Sequence, residues 1–329
     1  MSTQVPRLLA GLVDDAAVFP PGSASLPDAV TAHHEHRASW YADLVGPLLV
    51  PASAADTLTD LTDQAGQAGQ TDQAGQTDQA GQTDQAGQTG QTDQADQAAG
   101  FEVGLIGDTG IARLPAALTR LAAGGLVVRQ VEVAVARRGE DPQPGLTELL
   151  RIAGDHPDRE PARSEGPAVA WYAELPLTFG LSAALDTLAE ARATGVPIAA
   201  KFRTGGLAAE LFPTPVELAA VICACRDRDL PFKLTAGLHH AVRHLDPETG
   251  FTHHGFGNVL VATLAAAADA EVDVVAALLA DTDAVRLVEP ARAARDADRP
   301  LWVGFGSCSV REPLTDLIRL GLVNGGFDR

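Results

Sequence analysis

Outside one repetitive stretch, the chain is a succession of short apolar or β-branched runs separated by segments in which apolar residues recur at helical spacing. Eight runs read as strands, at residues 11–19, 45–51, 101–107, 127–136, 168–175, 198–204, 232–237 and 301–306. Helical patterns include residues 26–43, 113–123, 181–194 and 214–228. The last opens with Pro213-Thr214-Pro215, which supplies a cap and a first-turn proline. Strands alternating with helices of about ten to fifteen residues indicate a parallel sheet with helical crossovers. Eight such units predict a closed (β/α)8 TIM barrel, one domain over residues 1–329. A further β-like run at 284–288 is read as an added strand between the seventh and eighth. A doubly wound open sheet is the rival, but no Gly-x-Gly-x-x-Gly turn follows the first strand.

Residues 62–99 repeat Thr-Asp-Gln-Ala-Gly-Gln without a large apolar side chain. Such a segment cannot offset the entropy of ordering, and a disordered loop insertion is expected. No apolar run approaches the roughly 18 to 20 residues of a membrane span. The first residues lack the basic and apolar regions of a secretory signal, so a cytoplasmic location is expected. The formal charge of -19 argues against a nucleic-acid partner, which needs a basic face. Cys223, Cys225 and Cys308 read as small core residues rather than a disulfide framework.

Composition narrows the search for chemistry. The chain has 24 basic residues, yet only Lys201 and Lys233 are lysine. Arginine is always charged, whereas a lysine amine can be neutralised and used as a nucleophile. Both lysines fall near the C-terminal ends of predicted strands, where barrel active sites form. Strand parity puts Lys201 with Arg203 on one face, and Lys233 with Thr235.

These strands resemble the class I aldolase barrels related to deoxyribose-phosphate aldolase. The likeness is carried by Lys201-Phe-Arg-Thr-Gly205, by Phe232-Lys233-Leu-Thr-Ala-Gly237 and by Phe305-Gly306-Ser307-Cys308-Ser309, over about a third of the chain. It implies that Lys201 forms the imine and that Lys233 lowers the Lys201 pKa by like-charge repulsion. It also implies that Gly306 and Ser307 offer backbone donors to an anion. Glu132 stands where that family keeps an acidic proton shuttle; it reads equally as a structural ion-pair partner. Gly237-Leu238-His239-His240 departs from the family's phosphate grip, and Arg203 has no basic counterpart there. Both changes point to a small oxo-acid or acidic sugar held by Arg203 through a two-pronged contact. The Phe19-Pro20-Pro21 of the first strand together with the two lysine motifs also resembles a set of bacterial proteins, a likeness that supplies no activity.

Histidines give the second dense signal. His239 and His240 follow the seventh strand, and His253-His254-Gly-Phe-Gly-Asn258 lies in the next loop. His240 and His254 are candidates for proton transfer or substrate hydrogen bonds, with His239 and Asn258 beside them. With Glu174 they could instead bind a divalent metal, although their spacing matches no standard zinc motif. His33, His34 and His36 read as the polar face of the first helix. Of Asp14 and Asp15, parity sends one inward, and Asp14 is preferred as a substrate contact. Trp171, Tyr172 and Trp302 read as packing residues.

Three function classes follow. The first is a Schiff-base aldolase-like lyase acting on a small anionic carbonyl compound with no cofactor and no metal. The second is a metal-dependent barrel hydrolase or isomerase using Glu174, His240 and His254. The third is a non-catalytic ligand-binding barrel. A homo-oligomer is compatible with any of them.

Overall fold

The computed structural model describes residues 5–61, 101–156 and 168–325. The repeat at 62–99 lies outside the described residues. The barrel strands are β1 (Val13–Asp15), β2 (Val45–Pro51), β3 (Glu102–Ile106), β4 (Val127–Ala134), β5 (Ala170–Glu174), β6 (Ile198–Arg203), β7 (Phe232–Thr235) and β10 (Trp302–Ser307). They close in the order β1-β10-β7-β6-β5-β4-β3-β2, every pair parallel. A small antiparallel hairpin, β8 (His244–Leu245) with β9 (Thr252–His253), stands apart from the barrel.

Alternation along each strand sets the two faces. Val131, Val133, Trp171, Ala173, Phe202, Leu234 and Phe305 are buried apolar members of one continuous core. In β4, β5, β6 and β7 they alternate with Gln130, Glu132, Tyr172, Glu174, Lys201, Arg203 and Lys233, whose mutual contacts place them inside the barrel. The surrounding helices include α1 (Leu26–Arg37), α2 (Leu114–Ala123), α3 (Gln143–Asp155), α4 (Leu181–Ala193) and α5 (Pro215–Arg226). Between β7 and β10 come α6 (Phe256–Ala267), α7 (Val272–Ala280) and α8 (Ala284–Ala293), and α9 (Arg311–Arg319) follows β10. At the start of α5, Thr214 and Glu217 form a reciprocal capping box with Pro215 in the first turn. Among the described residues, no helix is long and apolar enough to cross a membrane.

The run at 284–288 is not a strand. It opens α8, where Leu287 and Ala291 are buried on one face and Val285 is exposed. A short β-branched run fits either period, and here the i, i+4 pair decides for helix. The first strand is also shorter than the 11–19 read from its apolar run. After Asp15 the backbone turns, with the Phe19 amide donating to the Ala16 carbonyl.

Interior glycine makes room for interior charge. A Cβ at Gly46 on β2 would overlap the Asp14 carboxylate. Gly46→Ala is therefore expected to cost about 1–3 kcal/mol as an overpacking change, read in thermal unfolding.

Candidate active site

A barrel interior is ordinarily filled by bulky apolar side chains. This one carries a chain of charges across its middle. Glu132, reaching in from β4, is shared by both lysines: its Oε2 is 2.7 Å from Lys201 Nζ and its Oε1 is 2.6 Å from Lys233 Nζ. Lys233 also pairs with Asp14 on β1. Lys201 continues to Glu174 Oε2 on β5 at 2.9 Å. Glu174 Oε1 then accepts from Arg203, whose Nε and Nη2 both lie at 3.3 Å. The order is Asp14, Lys233, Glu132, Lys201, Glu174, Arg203, with negative and positive charge alternating. The register explains the contact, because Lys201 lies directly beside Lys233 on β7 and beside Glu174 on β5.

Two neutral groups complete the cluster. Gln130 Nε2 donates to Asp14 Oδ2 at 2.6 Å and to Glu132 Oε1 at 3.0 Å. Lys233 Nζ lies 4.9 Å from the Tyr172 ring centroid. Sequence reading passed over Gln130 and took Tyr172 for packing alone. The available signal was parity, since each sits two residues before a carboxylate on the same strand face.

Exposure rises from one end of the network to the other. Lys201 and Lys233 are buried, Glu174 keeps 17% of its side-chain surface and Arg203 keeps 43%. Beyond them opens a cleft lined by Arg138, Glu174, Leu177, Arg203, Leu211 and Pro213, at the C-terminal end of β4 to β6.

The carboxylates reverse the expected effect on the lysines. Burial alone would push the Lys201 amine down, but Glu132 and Glu174 outweigh it and hold its pKa above the usual lysine value. Burial acts likewise on Lys233, and Asp14 with Glu132 raises it. The implied repulsion between the two amines is thus overturned, because one carboxylate stands between them. Burial would raise Glu132, yet its two ammonium neighbours bring it down to about 2. Glu174 is lowered too, against its burial, by Lys201 and Arg203. Asp14 goes the other way: burial, assisted by the Glu132 charge, outweighs Lys233 and raises it. Burial lifts the Tyr172 phenol to about 12.

The loops above the lysines explain their glycines. A Cβ on Gly205 would come within 2.9 Å of the Gly237 Cα, so the turns after β6 and β7 touch backbone to backbone. Gly237 has φ +78°, and Thr204 Oγ1 donates to the Ala236 carbonyl at 2.6 Å. Thr235 sits at this rim, in register with Arg203 and Gly306. Ser307 is buried, and its hydroxyl is committed to the Ser309 carbonyl at 2.8 Å.

The histidines do not join the network. His239 Nδ1 pairs with Glu312 at 3.0 Å and His240 Nδ1 with Asp316 at 3.2 Å, tying the turn after β7 to α9. His254 is buried, with Nε2 against the Pro213 carbonyl at 2.7 Å and Nδ1 beside Arg243 at 3.3 Å. Burial drives its pKa down to about 4, and with both nitrogens engaged it can neither shuttle protons nor ligate. Asn258 clips the same region together, accepting from the Arg243 amide and donating to the Leu278 and Asp281 carbonyls. The expected substrate roles of His254 and Asn258 are therefore replaced by structural ones. Glu174, His240 and His254 each keep separate partners, and among the described residues no group of three His, Cys, Asp or Glu is placed to hold a metal ion.

On the first helix, His33 and His36 are buried rather than part of a polar face. His33 Nδ1 meets Asp15 Oδ2 at 3.1 Å, and His36 Nδ1 meets the Tyr41 hydroxyl at 3.0 Å. Asp14 thus points into the barrel and Asp15 out toward α1. Comparison with protein-family models, with curated proteins and with solved structures finds no match.

Proposed function

We propose that the chain is a Schiff-base-forming, aldolase-like lyase acting on a small anionic carbonyl compound, with Lys201 as nucleophile. One observation carries the reading: two buried lysines share the Glu132 carboxylate inside the barrel, beneath an open cleft at the C-terminal end of β4 to β6. Buried charge is costly, and a network of this size in place of an apolar layer is favoured where it does chemistry.

The steps use groups already in contact. Lys201 passes a proton to Glu132 or Glu174, and the neutral amine adds to the substrate carbonyl carbon. The carbinolamine oxygen takes up protons and leaves as water, so the iminium inherits the positive charge that the ammonium held. The iminium then accepts the electron pair of the bond between the α and β carbons as the β-hydroxyl proton leaves to a carboxylate. An aldehyde departs, and hydrolysis of the enamine restores Lys201. Lys233 keeps Glu132 partnered throughout. As Lys201 loses its charge, Glu132 has one cation in place of two, and its proton affinity rises toward what a shuttle requires. Arg203 at the mouth offers a planar fork to an anionic group.

The test is borohydride trapping with a panel of aldehydes and oxo-acids, followed by intact mass and peptide mapping. The expected product is a single adduct on Lys201. Binding without trapping or turnover would instead support a ligand-binding barrel. Near-stoichiometric metal in protein purified without an affinity tag would support the metal-dependent alternative.

A further inference from the structure

Glu174 is the one carboxylate in the network that touches both the nucleophile and the exposed cation. Its two oxygens divide the work, one on Lys201 Nζ at 2.9 Å and the other on the Arg203 guanidinium at 3.3 Å. The amine and the guanidinium are thus spaced to be bridged by a single carboxylate. Glu174 also closes the network toward the cleft it lines with Arg203 and Arg138. A substrate entering from the cleft meets Glu174 before it meets Lys201, and it must displace that carboxylate to reach the amine.

We infer that the site selects 2-oxo acids, whose carboxylate takes the place of Glu174 on Arg203 while the adjacent carbonyl carbon meets Lys201, and that Glu174 is the internal lock they release. The inference rests on the Schiff-base reading and specifies its substrate. In a 2-oxo acid the carbonyl carbon is bonded directly to the carboxylate, which matches a site where one carboxylate spans both cations. A 4-oxo acid separates the two groups by two further carbons and cannot satisfy both cations at that spacing. A neutral carbonyl has nothing to offer Arg203, so Glu174 stays in place.

Displacement also readies the amine. With Glu174 released toward solvent, Lys201 loses one of the two carboxylates that hold its pKa up, and burial opposes the ammonium more strongly. Substrate recognition and nucleophile activation become one event. The covalent step conserves atoms and charge: ammonium plus ketone gives iminium plus water.

The test compares rates of borohydride trapping at Lys201 for pyruvate, 4-oxopentanoate and hydroxyacetone. The wild-type protein, Arg203→Ala and Glu174→Gln are measured side by side, with folding checked by circular dichroism. The wild type is expected to trap pyruvate at least tenfold faster than either other probe. Arg203→Ala should lower the pyruvate rate tenfold or more and bring the three rates together. Glu174→Gln should raise hydroxyacetone trapping several-fold at pH 7, because it removes the lock. If Lys201 is labelled by all three probes at similar rates and Arg203→Ala leaves their ratio unchanged, the 2-oxo acid assignment is wrong and the Schiff-base reading survives. If no probe labels Lys201 in any of the three proteins, both fall.

Discussion

Lys201→Arg is expected to abolish reductive labelling and to lower turnover by on the order of a thousandfold or more, with the fold retained. A guanidinium keeps the positive charge between Glu132 and Glu174 but cannot lose a proton and form an imine. Removing the charge as well, in Lys201→Met, should be tolerated for a reason the network supplies. Glu132 keeps Lys233, and Glu174 keeps Arg203. Labelling that persisted in Lys201→Arg would move the nucleophile to Lys233 or to the amino terminus, the two other primary amines of the chain.

Lys233→Met should behave in the opposite way, unfolding the protein more readily than any change at Lys201. Among the described residues Lys233 is the one cation in an ion pair with Asp14, and it holds the second oxygen of Glu132. Its removal leaves two carboxylates sharing the Gln130 amide nitrogen in a buried interior, and breaking a buried pair in this way costs about 3–5 kcal/mol. Asp14 is already raised by burial and by Glu132, so without Lys233 it is the group that takes up a proton. The loss should therefore shrink when Asp14→Asn is added, and it should shrink as pH falls. In the wild type the sign at Glu132 is reversed. Its folded pKa of about 2 lies below the usual 4.5, so its stabilising contribution is complete above pH 4.5 and is lost as pH falls toward 2. Thermal unfolding of the three proteins between pH 3 and 8 reads both trends.

Much of this arrangement was legible from strand parity. The alternation in Gln130-Val131-Glu132-Val133 and in Lys201-Phe202-Arg203 fixes which side chains face inward, and the barrel follows from the strand-helix rhythm. The same parity sent one of Asp14 and Asp15 inward, and the preference for Asp14 agrees with its contacts to Lys233 and Gln130. What parity cannot give is who faces whom across the barrel, because that depends on stagger and closure among strands distant in sequence. The sign of the Lys201 shift was lost for that reason. Two lysines on neighbouring strands suggest repulsion, and only the position of Glu132, brought in from β4, turns it into joint attraction. The histidines misled for a related reason. A dense His run beside a site signals chemistry in the sequence, but His254 and Asn258 spend their polar atoms fastening the loop between β7 and α6. In the run at 284–288 the competing signal was period, since four residues of Val, Leu and Arg satisfy a strand until the next turn of helix is counted.

The central claim is that both amines are buried cations held by three carboxylates, one of them shared. With only two lysines in the chain, lysine labelled with carbon-13 at Cε gives two side-chain signals and no overlap to resolve. The account predicts that both signals titrate later than an ordinary lysine, that Glu132→Gln moves both, and that Glu174→Gln moves only that of Lys201. A lysine signal titrating between pH 6 and 9 in the wild type, or one unaffected by Glu132→Gln, would contradict it.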